Sequence, residues 1–99
     1  MIILNIETIK KIQTEIGRTL EGKNSDYGGS FEETRRKFGM VATIIRLTDK
    51  LNRLSTLTQL APRIANESIE DTLKDLIGYC LLELEYRAEE RNNDSTRSD

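Results

Sequence analysis

Apolar residues recur three and four positions apart through most of this 99-residue chain, and only one proline, Pro62, interrupts it. No stretch alternates apolar and polar residues with period two, so the pattern is that of helices packed on helices and not of a sheet. Ile9, Ile12, Ile16 and Leu20, with Lys10, Lys11, Glu15 and Arg18 between them, predict an amphipathic helix from about Glu7 to Glu21, and Gly22 is its expected stop. The string GKNSDYGG from Gly22 to Gly29 collects residues that favour turns and reads as a loop. Ser30 and Glu33 then match a capping box and open a second helix. Its stripe of Phe38, Val41, Ile44, Ile45, Leu47, Leu51 and Leu54 runs to about Ser55, with Gly39 inside it as a point of close packing. The pattern lapses from Thr56 to Asn66, where Pro62 suggests an ordered crossover loop anchored by Leu57, Leu60 and Ile64.

Asn66 is placed to cap a third helix, and Glu67, Glu70 and Asp71 load its positive end with negative charge. Ile69, Leu73, Leu76, Ile77, Cys80, Leu81 and Leu84 supply its stripe as far as about Arg91. Residues 92–99 have nothing to bury and are expected to be a disordered tail. The expected fold is therefore all-α: a three-helix hairpin or bundle with long second and third helices, forming one domain over residues 1–91. Phe38, Met40, Cys80 and the leucine stripes read as core. Helices this long in so small a chain leave apolar flanks uncovered, which points to a dimer or higher homo-oligomer.

Composition narrows the chemistry. The chain has no His, no Trp and one Cys, so a zinc site, a disulfide and an imidazole general base are all excluded. Carboxylates, Lys, Arg, Tyr or a bound metal must carry whatever chemistry exists. A formal charge of -2 argues against binding nucleic acid through bulk charge. The longest purely apolar runs are a few residues long, so neither a signal nor a membrane segment is expected and the protein is placed in the cytoplasm. The charge is unevenly spread: residues 34–63 hold one acid and seven bases, residues 64–91 eight acids and three bases. The second and third helices should attract each other, within a bundle or between subunits.

Three clusters could carry function. Lys23, Asp26, Tyr27, Gly28 and Ser30 belong to a glycine-containing stretch ahead of a helix N-terminus, which reads either as an anion cradle or as a plain interhelical turn. Arg46, Asp49, Lys50 and Arg53 lie a turn apart on the basic helix, either as a ligand-binding face or as a solvated one with an Asp49–Arg53 pair. Glu67, Asp71 and Asp75 line up on the acidic helix. Aligned acids repel, so they call for a cation, which Arg or Lys from the second helix or a bound Mg²⁺ could supply.

The strings KNSDYGGSF (Lys23 to Phe31), DKLNRL (Asp49 to Leu54) and ESIEDTLKDLIGYCL (Glu67 to Leu81) resemble, in order and spacing, the nucleotide modification associated domain 1 family. The similarity spans about Lys23 to Tyr86. It implies a small all-α protein of phages and bacteria with a nucleotide-linked role. More distantly the acidic helix resembles that of the all-α nucleoside triphosphate pyrophosphatases, the MazG and dUTPase-like group, which hold Mg²⁺ with carboxylates from two helices. That group's E-x-x-E on the first metal-binding helix has no clean counterpart here, because the second helix offers only Glu32, Glu33 and Asp49.

The expected function is binding of a phosphate-bearing nucleotide without turnover, with no cofactor required and Mg²⁺ as an optional companion. Such a protein could sequester a host nucleotide signal or serve nucleotide metabolism. Mg²⁺-dependent pyrophosphohydrolysis is the alternative, and a helical scaffold is a third.

Overall fold

The helical periodicity is realised as four helices rather than three. The computed structural model describes the backbone of residues 3–27 and 29–97 and the side chains of residues 3–23, 29–62 and 65–94. Among the described residues there are helices α1 (Ile6–Tyr27), α2 (Ser30–Phe38), α3 (Met40–Leu57) and α4 (Pro62–Arg97), and no strand. The chain falls into two compact units, Met1–Ser30 and Phe31–Asp99.

In the first unit, Asn5 starts α1 as a cap: its Oδ1 accepts a hydrogen bond from the Thr8 amide at 3.1 Å. Glu7 follows in the first turn. Of the expected stripe, Ile16 is buried and Leu20 half-buried. The helix does not stop at Gly22, and the expected loop is helical through Tyr27. A glycine inside a helix weakens it without ending it; termination needs a residue in the left-handed region. Gly29, with φ of 76°, is that residue.

The second unit departs further from expectation. The single long second helix is broken at Gly39, whose φ of 78° and ψ of −164° lie outside the helical region. A Cβ built at Gly39 would meet nothing within 4 Å, so the residue is required for its backbone conformation and not for close packing. Adding a side chain separates the two roles of glycine in this chain. Gly22, helical and open around its Cα, should gain about 0.5–1 kcal/mol on Gly22→Ala. Gly39→Ala should lose about 1–2 kcal/mol, because every other residue is penalised at that φ. Urea titration of the two variants measures both signs.

The crossover is shorter than expected. α3 ends at Leu57, and the amides of Thr58, Gln59 and Leu60 donate back to the carbonyls of Leu54, Thr56 and Leu57 at 3.1–3.2 Å. α4 starts at Pro62, not at Asn66, since a proline in the first turn gives up an amide that has no partner there anyway. Leu57 anchors the turn as a buried side chain, Leu60 is exposed, and the Ile64 side chain lies outside the described residues. At its far end α4 continues past Arg91 to Arg97.

Contacts set the directions of the helices. Met40 meets Arg87, Thr43 meets Glu83, Arg46 meets Tyr79 and Lys50 meets Asp75, so α3 and α4 run antiparallel. Phe31 meets Tyr79 and Arg35 meets Glu83 and Tyr86, so α2 runs along α4 in the same direction. Gly39 therefore turns the chain back on itself.

What lies between these helices is the largest departure. The buried residues of this unit include Ala42, Leu57 and Ala65 with the polar Thr43, Thr72 and Glu83. Phe38, Met40, Val41, Ile44, Ile45 and Leu51 of the expected core stripe are exposed, as are Leu73, Ile77, Cys80, Leu81 and Leu84. Spacing of three and four marks a helix face, but it does not say which face a neighbour covers. The small residues Ala42, Thr43, Ala65 and Thr72, and buried Gly78, let α3 and α4 approach through a polar seam.

Candidate functional site

Glu83 is the fixed point of that seam. It is 6% exposed, and its carboxylate accepts from four directions. Arg35 Nε donates to Oε1 at 2.8 Å and Arg35 Nη2 to Oε2 at 3.2 Å, a two-point fork. Thr43 Oγ1 donates to Oε1 at 2.7 Å, and Arg87 Nε to Oε2 at 2.6 Å. The Arg35 hydrogen bond, supported by those from Thr43 and Arg87, outweighs the cost of burial and holds the Glu83 carboxyl down at about 2. The same bond raises the Arg35 guanidinium above its ordinary value. Arg35 also lies over the Tyr86 ring at 4.6 Å. Helices α2, α3 and α4 are thus tied at one carboxylate.

One turn along the seam the chemistry changes from ionic to aromatic. The rings of Phe31 and Tyr79 stack with centroids 6.4 Å apart and planes inclined by 24°. Arg46 carries its guanidinium carbon 5.6 Å from each centroid. A further turn on, Lys50 Nζ reaches Asp75 Oδ2 at 3.2 Å, with both side chains about a third exposed or less. This stretch presents a fixed cation, two flat π surfaces and a second cation within two turns of α3. It can grip an anionic, flat ligand: the rings supply a stacking surface, and the cations supply charge-assisted donors.

Of the residues singled out in the sequence, Arg46, Lys50 and Asp75 come together here. The expected attraction between the basic and acidic helices is realised within the chain as Lys50–Asp75. Asp49 and Arg53 are exposed on α3, and no ion pair forms between them. Such a pair is worth only a few tenths of a kcal/mol, too little to hold two long side chains in place. Glu67 and Asp71 are exposed on α4. Glu67, Asp71 and Asp75 follow one another a turn apart, about 6 Å of rise each. They do not converge on one ion, and among the described residues no three Cys, Asp or Glu side chains gather to hold a metal. An all-protein Mg²⁺ cage does not fit these three acids.

Lys23 and Ser30 belong to the first unit, Lys23 exposed near the end of α1 and Ser30 opening α2. The side chains of Asp26 and Tyr27 and the whole of Gly28 lie outside the described residues. Sequence reasoning missed Arg35, Thr43, Glu83, Arg87, Phe31 and Tyr79. A signal existed for two of them: Thr43 and Glu83 are the polar residues that interrupt otherwise apolar stretches, VATII and LLEL.

Residues 23–84 match the family described as nucleotide modification associated domain 1, and they contain every seam residue from Phe31 to Glu83. The chain belongs to this family. No curated protein and no solved structure matches it. No helix among the described residues is long and apolar enough to cross a membrane.

Proposed function

We propose that this family member binds a phosphate-bearing nucleotide and does not turn it over, with the base against Phe31 and Tyr79 and the phosphates against Arg46 and Lys50. The observation that carries this reading is the Arg46 guanidinium set over both stacked rings, 5.6 Å from each, with Lys50 one turn further on. The family's association with nucleotide modification supports the ligand class. Lys23, Asp26, Tyr27, Gly28 and Ser30 are proposed as a phosphate-binding stretch in their own right, a glycine-containing run that leads into the α2 N-terminus, and Lys23→Ala tests their part separately. Asp49 and Arg53, exposed on α3 beside Lys50, extend the same charged face. Mg²⁺ is not required in this reading; it enters with the phosphates, held by at most one or two of Glu67, Asp71 and Asp75 together with water.

Binding without turnover suits sequestration of a nucleotide signal in the cytoplasm. The alternative is pyrophosphohydrolysis, and one experiment separates the two. The protein is incubated with Mg²⁺ and a panel of nucleoside triphosphates, cyclic dinucleotides and NAD-derived nucleotides, and the nucleotides are recovered and analysed. A thermal shift with one of them, recovered intact, is the expected result. Release of pyrophosphate or a monophosphate that is lost in Asp71→Asn would replace binding by catalysis.

A further inference from the structure

Helix α2 is attached differently from the two helices it lies against. No residue of α2 is buried, whereas α3 and α4 close on buried Ala42, Thr43, Leu57 and Thr72. Side chains tie it down: Phe31 to Tyr79 and Arg46, and Arg35 to Glu83 and Tyr86. At nine residues it is too short to hold its place by helix stability alone. A single residue joins it to α3. The Gly39 amide donates to the Arg35 carbonyl at 2.9 Å and ends α2, and the Gly39 carbonyl accepts from the Ala42 amide at 3.1 Å and begins α3. Gly39 has φ of 78° and nothing within 4 Å of where a Cβ would stand, so it can absorb a change of angle between the two helices.

A nucleobase stacked on Tyr79 requires such a change. The centroids of Phe31 and Tyr79 are 6.4 Å apart and Arg46 is 5.6 Å from each, so these groups already touch, and a base is about 3.5 Å thick. Helices α3 and α4 cannot part by that much without opening their buried seam, but α2 can lift. At a helical rise of ~1.5 Å per residue, Arg35 lies about 6 Å from Gly39 and Phe31 about 12 Å. A tilt about Gly39 that raises Phe31 by the thickness of a base raises Arg35 by about half as much, ~1.8 Å. That carries the fork, with its bonds of 2.8 and 3.2 Å, out of hydrogen-bond range, so the fork must release before the rings part.

We infer that α2 is a lid, pivoting at Gly39 and latched by Arg35 on Glu83, which lifts to admit a base onto Tyr79 and closes over it with Phe31. What the lid covers rests on the nucleotide reading above; the pivot and the latch do not. Arg35 and Glu83 are positioning residues here, since they set where Phe31 stands and touch no ligand themselves.

Amide hydrogen exchange on the full chain tests this. Without ligand, the α2 amides from Thr34 to Phe38 should exchange at least a hundredfold faster than mid-helix amides of α3 and α4. Their rate should change little in dilute urea, because lifting one short helix exposes little surface. Arg35→Lys keeps the charge but gives up the fork, and should speed α2 exchange at least a further tenfold. A nucleotide of the panel that raises the melting point should slow α2 exchange at least tenfold in the wild type. Protection of α2 equal to that of α3 and α4 overturns the lid, and α2 exchange unaltered in Arg35→Lys overturns the latch. A nucleotide that binds and leaves α2 exchange unchanged overturns closure over the ligand. If no nucleotide of the panel binds, the reading of the site falls, while exchange without ligand still decides whether α2 lifts. That first comparison uses unaltered protein and stands if Arg35→Lys unfolds.

Discussion

Replacing Glu83 by Ala should cost about 3–5 kcal/mol, a large fraction of the ~5–15 kcal/mol that holds a domain together. The loss exceeds that of a surface ion pair because three partners are left behind at once. The Arg35 side chain is only 14% exposed, and without Glu83 its guanidinium loses the carboxylate it is hydrogen-bonded to at two points. Helix α2, at nine residues, is too short to persist alone and depends on that bond to stay on α4. Glu83→Gln keeps the volume and tests the charge; it should recover little, because an amide cannot serve two guanidinium groups.

The same carboxylate sets the acid limit of the fold. Its pKa lies at about 2 in the folded chain against an ordinary 4.5, so as pH falls the unfolded state takes up the proton first. The stabilisation is complete above about 4.5 and drains away between there and about 2, amounting to on the order of 3 kcal/mol. Stability measured across that window should fall in the wild type and stay comparatively flat in Glu83→Gln. A wild-type profile as flat as the variant's would mean that the Arg35 fork contributes nothing.

The second large effect concerns the ligand. Arg46→Ala should weaken nucleotide binding at least tenfold, since it removes a charge-assisted contact and the group that orders both rings. Tyr79→Ala should do the same by removing a stacking surface, whereas Tyr79→Phe should bind nearly as well as wild type. Arg46 is half-buried, so folding must be read alongside binding. Retained helix content with lost affinity assigns the residue to the ligand; parallel loss of both assigns it to the fold.

Much of this architecture can be read in the sequence, and the failures have physical causes. Helix content was legible because apolar spacing reports it directly, and the family could be recognised from three separated strings. Helix ends were less so: Gly22 and Gly39 look alike as residues, yet one continues a helix and the other reverses the chain, and only the φ of 78° at Gly39 tells them apart. Pro62, which in the sequence suggests a crossover loop, opens α4. The stripes were assigned to the core because periodicity carries no information about the neighbour. A chain that keeps Thr43, Thr72 and Glu83 inside and Ile44, Ile77 and Leu84 outside inverts the usual rule. Lys50–Asp75 could be anticipated from the charge asymmetry of the two helices, whereas the Arg35–Glu83 fork, 48 residues apart in sequence, could not.

The claim that the α3–α4 seam receives the nucleotide is tested most directly by following backbone amide resonances during titration with a nucleotide that gives a thermal shift. The account predicts shifts concentrated at Phe31, Arg46, Lys50 and Tyr79, with those of the seam lost in Arg46→Ala. Shifts confined to the basic face of α1 around Lys10, Lys11 and Arg18, with the seam resonances unmoved, would contradict it.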